Sequence, residues 1–293
     1  MTKVQDAPPL SRYETTLAEY YESLWTNPED SLRRARREGS WHFDYHEQGD
    51  RIATTPGHQM DAYVDQRLNL KAFPGAAILD AGCGTGTTTL YLASQHPACS
   101  FVGLTLAPTE VTIARHHQKT AQLGNARFLQ GTFLHAPFPA ASFHAAYALE
   151  SASHAEDKQA FAREMNRILK PQGTLLILDL IPTKTIPRQT PRASILQHNA
   201  VTITRFLTLL QKEGFTIQDV DNLLKNRNVS RLQVLRFYLL FSMQQKTQAT
   251  QRQSPRLHAL MARGILLPRV FLQFLYTIYS RYGYYVIAAK KTS

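Results

Sequence analysis

The sequence predicts an α/β protein built on a mainly parallel sheet, and three observations carry that prediction. From residue 77 onward, short apolar runs alternate with amphipathic stretches of helical period, as strands alternate with covering helices. One run, "TLLILDLI", is apolar throughout, which suits a strand buried on both faces. A third feature, "AILDAGCGTG" at 77–86, packs three glycines into five positions directly after a strand-like run. Glycine reaches positive φ and lacks a Cβ, so Gly82, Gly84 and Gly86 read as a tight turn that a ligand approaches closely.

Each element follows in order. "YETTLAEYYESLW" places apolar or aromatic residues at 13, 17, 20, 21, 24 and 25, close to a 3.6-residue period. "GSWHFDYHEQG" is an aromatic, histidine-rich loop, and "HQMDAYVDQRLNL" a second helix. "AILDA" is a strand and "TTTLYLASQH" a helix. "SFVGLTL" leads into the helix "PTEVTIARHHQKTAQL", with Pro108 suited to its first turn. "ARFLQGT" and "SFHAAYALE" are strands; "DKQAFAREMNRIL" is a helix stopped by "KPQG" before "TLLILDLI". Beyond Pro182 a proline-broken loop precedes the helix "ITRFLTLLQKEG" and the strand "FTIQDVDNL". Residues 228–281 read as helical, and "YYVIAAKK" as a closing strand.

With 293 residues the chain is long enough to bury a substantial core. The N-terminal residues lack the apolar run of a secretory signal, and two cysteines make no disulfide framework, so a reducing cytoplasm is the expected location. No spacing of Cys and His suggests a metal. "GILLPRVFLQFLYTIY" is short for a membrane span and is interrupted by Pro268, Arg269 and Gln273, so it reads as a lid or core helix. Net charge is +11; residues 184–256 hold twelve Lys/Arg against three acids, which is nine of that excess. Such a stretch serves as a solvated face or attracts an anionic substrate or acidic lipid. No recognisable nucleic-acid module accompanies it.

Asp80 followed by Gly82-x-Gly84-x-Gly86 resembles motif I of the class I S-adenosylmethionine-dependent methyltransferases. The likeness continues through "FVGLTLAPTEVTIAR", "FLQGTFLHAPFPAASFHAAYALES", "FAREMNRILKPQGTLLILD", "GFTIQDV" and "YYVIAAKK". "ALESASHAEDK" is most similar to the sterol, tocopherol and rebeccamycin-type small-molecule enzymes of that class. A nicotinamide-dependent oxidoreductase would instead carry G-x-G-x-x-G and an acid closing the second strand.

The resemblance implies a seven-stranded, mainly parallel Rossmann-like sheet. It implies a helical N-terminal lid over 1–73, a cofactor-binding core over 74–227 and 282–293, and a helical cap over 228–281. It implies S-adenosylmethionine as cofactor, held by Asp80, Gly82, Cys83, Gly84, Gly86, Leu104, Thr105, Thr132, Phe133 and Glu150. Thr105 and Thr132 stand where this class commonly has acids for the ribose and the adenine amine. His154 is the candidate general base, with Glu150, Tyr21 and His42 as further candidate catalytic residues. The aromatic content implies a small hydrophobic acceptor, with an anionic head group, peripheral membrane contact and a homo-oligomer left open. Carbon methylation of a terpenoid-like acceptor comes first in this reading, oxygen next, nitrogen after. A catalytically degenerate scaffold binding a membrane or partner is the alternative.

Overall fold

A computed structural model describes residues 9–25, 58–185, 200–226 and 281–292. The reading of 228–281 as a cap, apart from its last residue, and that of His42 as an entrance residue lie outside them. Seven strands, β1 (Ala77–Ala81), β2 (Ser100–Thr105), β3 (Ala126–Gln130), β4 (Phe143–Leu149), β5 (Leu169–Pro182), β6 (Phe215–Asn222) and β7 (Tyr282–Lys291), form one sheet. Their order is β3-β2-β1-β4-β5-β7-β6. The first five run parallel, and β7 is antiparallel to both β5 and β6.

The helices are α1 (Arg12–Leu24), α2 (His58–Leu68), α3 (Thr87–Gln95), α4 (Pro108–Thr120), α5 (Lys158–Ile168) and α6 (Ile203–Lys212). Local chemistry sets their starts. Ser11 and Glu14 form a reciprocal capping box on α1, and the Asp157 carboxylate accepts from the N–H groups of Gln159 and Ala160 on α5. Pro108 opens α4, where its missing N–H costs nothing.

Alternate residues of a strand face opposite sides of the sheet. Ile78, Phe101 and Tyr147 therefore join one core layer with Val64 of α2, Leu92 of α3 and Val111 of α4. Leu79, Val102 and Ala146 join the other, with Phe161, Met165 and Ile168 of α5 and Phe206 of α6. The i, i+4, i+7 spacing of the three α5 residues is what puts them on one stripe. One boundary differs from the sequence reading: β5 begins at Leu169 rather than after "KPQG". Leu169 already pairs with Phe143, and the register slips before Ala145 meets Thr174.

Strand order reverses beside β1, whose neighbours are β2 and β4. Crevices at such a reversal, beyond the carboxyl ends of the strands, are where open α/β sheets hold ligands. The glycine turn leaves β1 at that point.

Candidate functional site

Cofactor end. The turn after β1 is tied to β2: the N–H groups of Gly82 and Cys83 both donate to the Leu104 carbonyl, at 2.8 and 3.0 Å. All three glycines have positive φ, at 101°, 51° and 80°. Their surroundings differ. A Cβ on Gly82 would lie 2.3 Å from Ser151 Cβ, and one on Gly86 2.5 Å from Phe128 Cε1. A Cβ on Gly84 would meet nothing within 4 Å. Two of the glycines thus answer internal packing, and Gly84 is the one whose bare backbone faces open space. Cys83 is a packing residue: its Sγ would stand 2.8 Å from a Cβ on Gly103, and burial pushes its thiol well above the ordinary range.

Asp80, only 3% exposed, turns its carboxylate inward. Its Oδ2 accepts from Thr89 Oγ1 at 2.6 Å and from the Tyr147 hydroxyl at 2.7 Å. Burial nevertheless raises it to about 7. A cation placed beside it would reverse that shift.

At the ends of β2 and β3 the structure supplies two carboxylates absent from the strands themselves. Thr105 Oγ1 donates to Glu110 Oε2 at 2.6 Å, and the Trp25 indole donates to Glu110 Oε1 at 3.4 Å. The Thr132 hydroxyl donates to Glu14 Oε1 and accepts from the Leu134 N–H at 3.0 Å. Both acids are buried, and burial pushes Glu110 above the carboxylate range. Sequence reasoning missed both. Glu110 sits five positions beyond Thr105 on the next helix, and Glu14 was hidden by its second role in the capping box. Leu104 and Phe133 are buried beside these threonines, with the Phe133 ring edge-on to Phe161 at 5.4 Å.

Reacting end. Glu150 ends β4 with φ at 53°, a left-handed conformation that strains a non-glycine residue. Its N–H donates to the Leu178 carbonyl at 2.7 Å, and its Oε1 accepts from the Tyr284 hydroxyl at 2.9 Å. The Ser151 hydroxyl donates to the Ala81 carbonyl, pinning β4 against the glycine turn. A single 3₁₀ turn, Ala152–His154, follows.

His154 is 9% exposed, and its Nε2 lies 2.9 Å from the Tyr21 hydroxyl. The two rings meet edge to face, with centroids 5.7 Å apart. Among the described residues its buried Nδ1 has no hydrogen-bond partner. Burial, with Lys158 adding to it, pushes the imidazole down to about 3, so the ring is neutral at physiological pH. Burial also holds the Tyr21 phenol well above its ordinary value.

These contacts lay α1 across the carboxyl edge of the sheet. Ser11 Oγ donates to Glu156, Glu14 meets Thr132 and Tyr21 meets His154. Glu22 closes the series, accepting from Thr109 N–H and Oγ1 at 2.8 and 2.6 Å. Among the described residues no cluster of His, Cys, Asp or Glu could hold a metal ion, and no helix is long and apolar enough to cross a membrane.

A close-approach cradle at Gly84 flanked by buried carboxylates suits a ligand with a nucleoside and an ammonium group, which S-adenosylmethionine has. Comparison with known proteins agrees. The family model described as a methyltransferase domain matches residues 79–177. The O-methyltransferase cnsE of Penicillium expansum is 32% identical over 163 residues, 54% of this chain and 59% of that one. The O-methyltransferase rstn1 of Aspergillus nomiae is 30% identical over 166 residues, 56% of this chain and 70% of that one. The chain thus spans little more than half the length of the first of these relatives. The solved structure of the [4+2]-cyclase SpnF superposes with a TM-score of 0.69 over 98% of both chains, at 21% identity, and shares the fold. Motif, fold and relatives converge: the chain belongs to the class I S-adenosylmethionine-dependent methyltransferases.

Proposed function

We propose that the protein methylates an oxygen of a small hydrophobic metabolite, with His154 as proton acceptor and Tyr21 holding its ring. The observation that carries this reading is the Tyr21–His154 contact at 2.9 Å on a buried, neutral imidazole whose second nitrogen is unpaired among the described residues. S-adenosylmethionine supplies an electrophilic methyl group. When Nε2–H donates to the Tyr21 oxygen, the Nδ1 lone pair is left to take a proton. A hydroxyl oxygen becomes strongly acidic as its new bond to carbon forms, so a weak neutral base suffices. The relatives include both O-methyltransferases and sterol C-methyltransferases, so the preference for oxygen rests on the Tyr21–His154 pair.

For the cofactor we assign Gly84 to close backbone approach, Asp80 to the ammonium end, and the Thr105–Glu110 and Thr132–Glu14 pairs to the ribose and adenine end. Residues 1–73 and 228–281 would form the lid and cap that shape the acceptor pocket.

Carbon methylation is the second reading, favoured by Glu150, which follows β4 on a backbone strained at φ 53° and whose carboxylate would stabilise a cationic acceptor. The test is incubation with methyl-labelled S-adenosylmethionine and a host extract, with mass spectrometry of any product heavier by one CH₂. A labelled methyl ether supports the first reading, a new carbon–methyl bond the second. Binding of S-adenosylhomocysteine without any labelled product would favour a degenerate scaffold.

A further inference from the structure

One buried charge is left over from this account. Lys158, the first residue of α5, is 6% exposed, and its Nζ donates to the Ser153 carbonyl at 2.8 Å and the Ala155 carbonyl at 2.5 Å. Those are the carbonyls on either side of His154. From the opposite side, Asp179 Oδ2 accepts from the Ser153 N–H at 2.7 Å, while its Oδ1 accepts from the Leu180 N–H at 2.7 Å. Ser153 is therefore gripped through its N–H by β5 and through its carbonyl by α5. Removing a lysine from water is costly, and two carbonyls could be satisfied by a neutral donor. A cation here calls for a role that needs its charge.

We propose that Lys158 is the positioning residue of His154: its ammonium fixes the turn that carries the ring through the carbonyls on either side of it. The proposal rests on the reading of His154 as proton acceptor. A proton acceptor works only when its lone pair is held in line with the acceptor oxygen, which a turn gripped on both sides of the ring ensures. The titratable groups around His154 among the described residues are Tyr21 from α1, Lys158 from α5 and Asp179 from β5. Glu156 and Asp157 in the intervening loop are engaged with Ser11 and with the α5 cap. Burial lowers Lys158 itself to about 8, with Asp179 and Asp157 opposing the shift. It stays largely charged at neutrality and loses that charge, weakening both hydrogen bonds, as the pH climbs past that point.

The test uses the full-length protein with ¹⁵N-labelled histidine, the His154 signal being identified by its loss in His154→Gln. In the native protein the ring should stay neutral to the acid limit of the fold. In Lys158→Met the His154 ring signals should move at neutral pH as the turn loosens, with turnover down about tenfold or more, and Lys158→Arg should restore both. His154 ring signals and turnover both unchanged in Lys158→Met overturn the proposal. Should Lys158→Met not fold, the native protein decides: the Ser153 and Ala155 amide signals should shift as the pH passes about 8, and static signals there overturn it. Turnover of His154→Ala is measured separately. If it matches the native protein, the base assignment fails, while the histidine ring signals still report on Lys158.

Discussion

Glu14 on α1 accepts a hydrogen bond from Thr132 just beyond β3, joining residues 118 positions apart. The contact does two jobs. It holds α1 against the sheet edge, and it places a carboxylate where the core offers only a threonine. Hydrogen bonds to a charged partner contribute roughly 1.5–3 kcal/mol. Glu14→Ala should therefore loosen α1, speeding amide exchange across residues 12–24, and weaken S-adenosylhomocysteine binding about tenfold by titration calorimetry, a factor worth about 1.4 kcal/mol. Thr132→Val should reproduce the exchange effect. Unchanged exchange in both variants would separate Glu14 from the docking of α1.

The three glycines of the turn should part company on substitution. Gly82→Ala and Gly86→Ala drive a Cβ into Ser151 and Phe128, so overpacking of about 1–3 kcal/mol adds to the strain of positive φ. Gly84→Ala meets open space and carries only the φ strain, about 1–2 kcal/mol. Thermal melts should rank Gly84→Ala the most stable of the three. Calorimetry should still find its cofactor affinity reduced, because the new methyl occupies the approach to the backbone.

Much of this was legible in the sequence. Apolar runs alternating with helical stretches located the described strands, and continuous runs such as that of β5 arise because both faces of the sheet are covered, as Ile78 and Leu79 in opposite core layers show. Motif spacing located the turn. What the sequence could not show was which side chains meet across the edge. Glu110 and Glu14 reach the site from helices, and nothing in local pattern tells a capping glutamate from one that also faces Thr132. Nor could the ordinary pKa of a free histidine reveal that burial moves His154 to about 3.

Glu150 should be needed for turnover more than for folding. Glu150→Gln keeps an acceptor for the Tyr284 hydroxyl and leaves the backbone strain unchanged, while removing the charge. Its melting temperature should stay close to native while turnover falls about tenfold or more. A drop in melting temperature matching the loss of turnover would make Glu150 a structural residue.

Asp80 gives the protein a pH signature with a definite sign. Its folded value, about 7, stands above the ordinary 3.8, so the fold binds a proton there that the unfolded chain releases. Stability from this group is full below about 4 and is lost as the pH rises through about 7. Asp80→Asn should flatten that part of the stability curve, measured as melting temperature between pH 4 and 8. Ligand binding should run the other way. An ammonium beside Asp80 favours the carboxylate, so affinity for S-adenosylhomocysteine should fall as the pH drops below about 7 in the native protein. Asp80→Asn should bind more weakly and without that dependence. A native affinity flat across the same range would place the ammonium elsewhere and detach Asp80 from the cofactor.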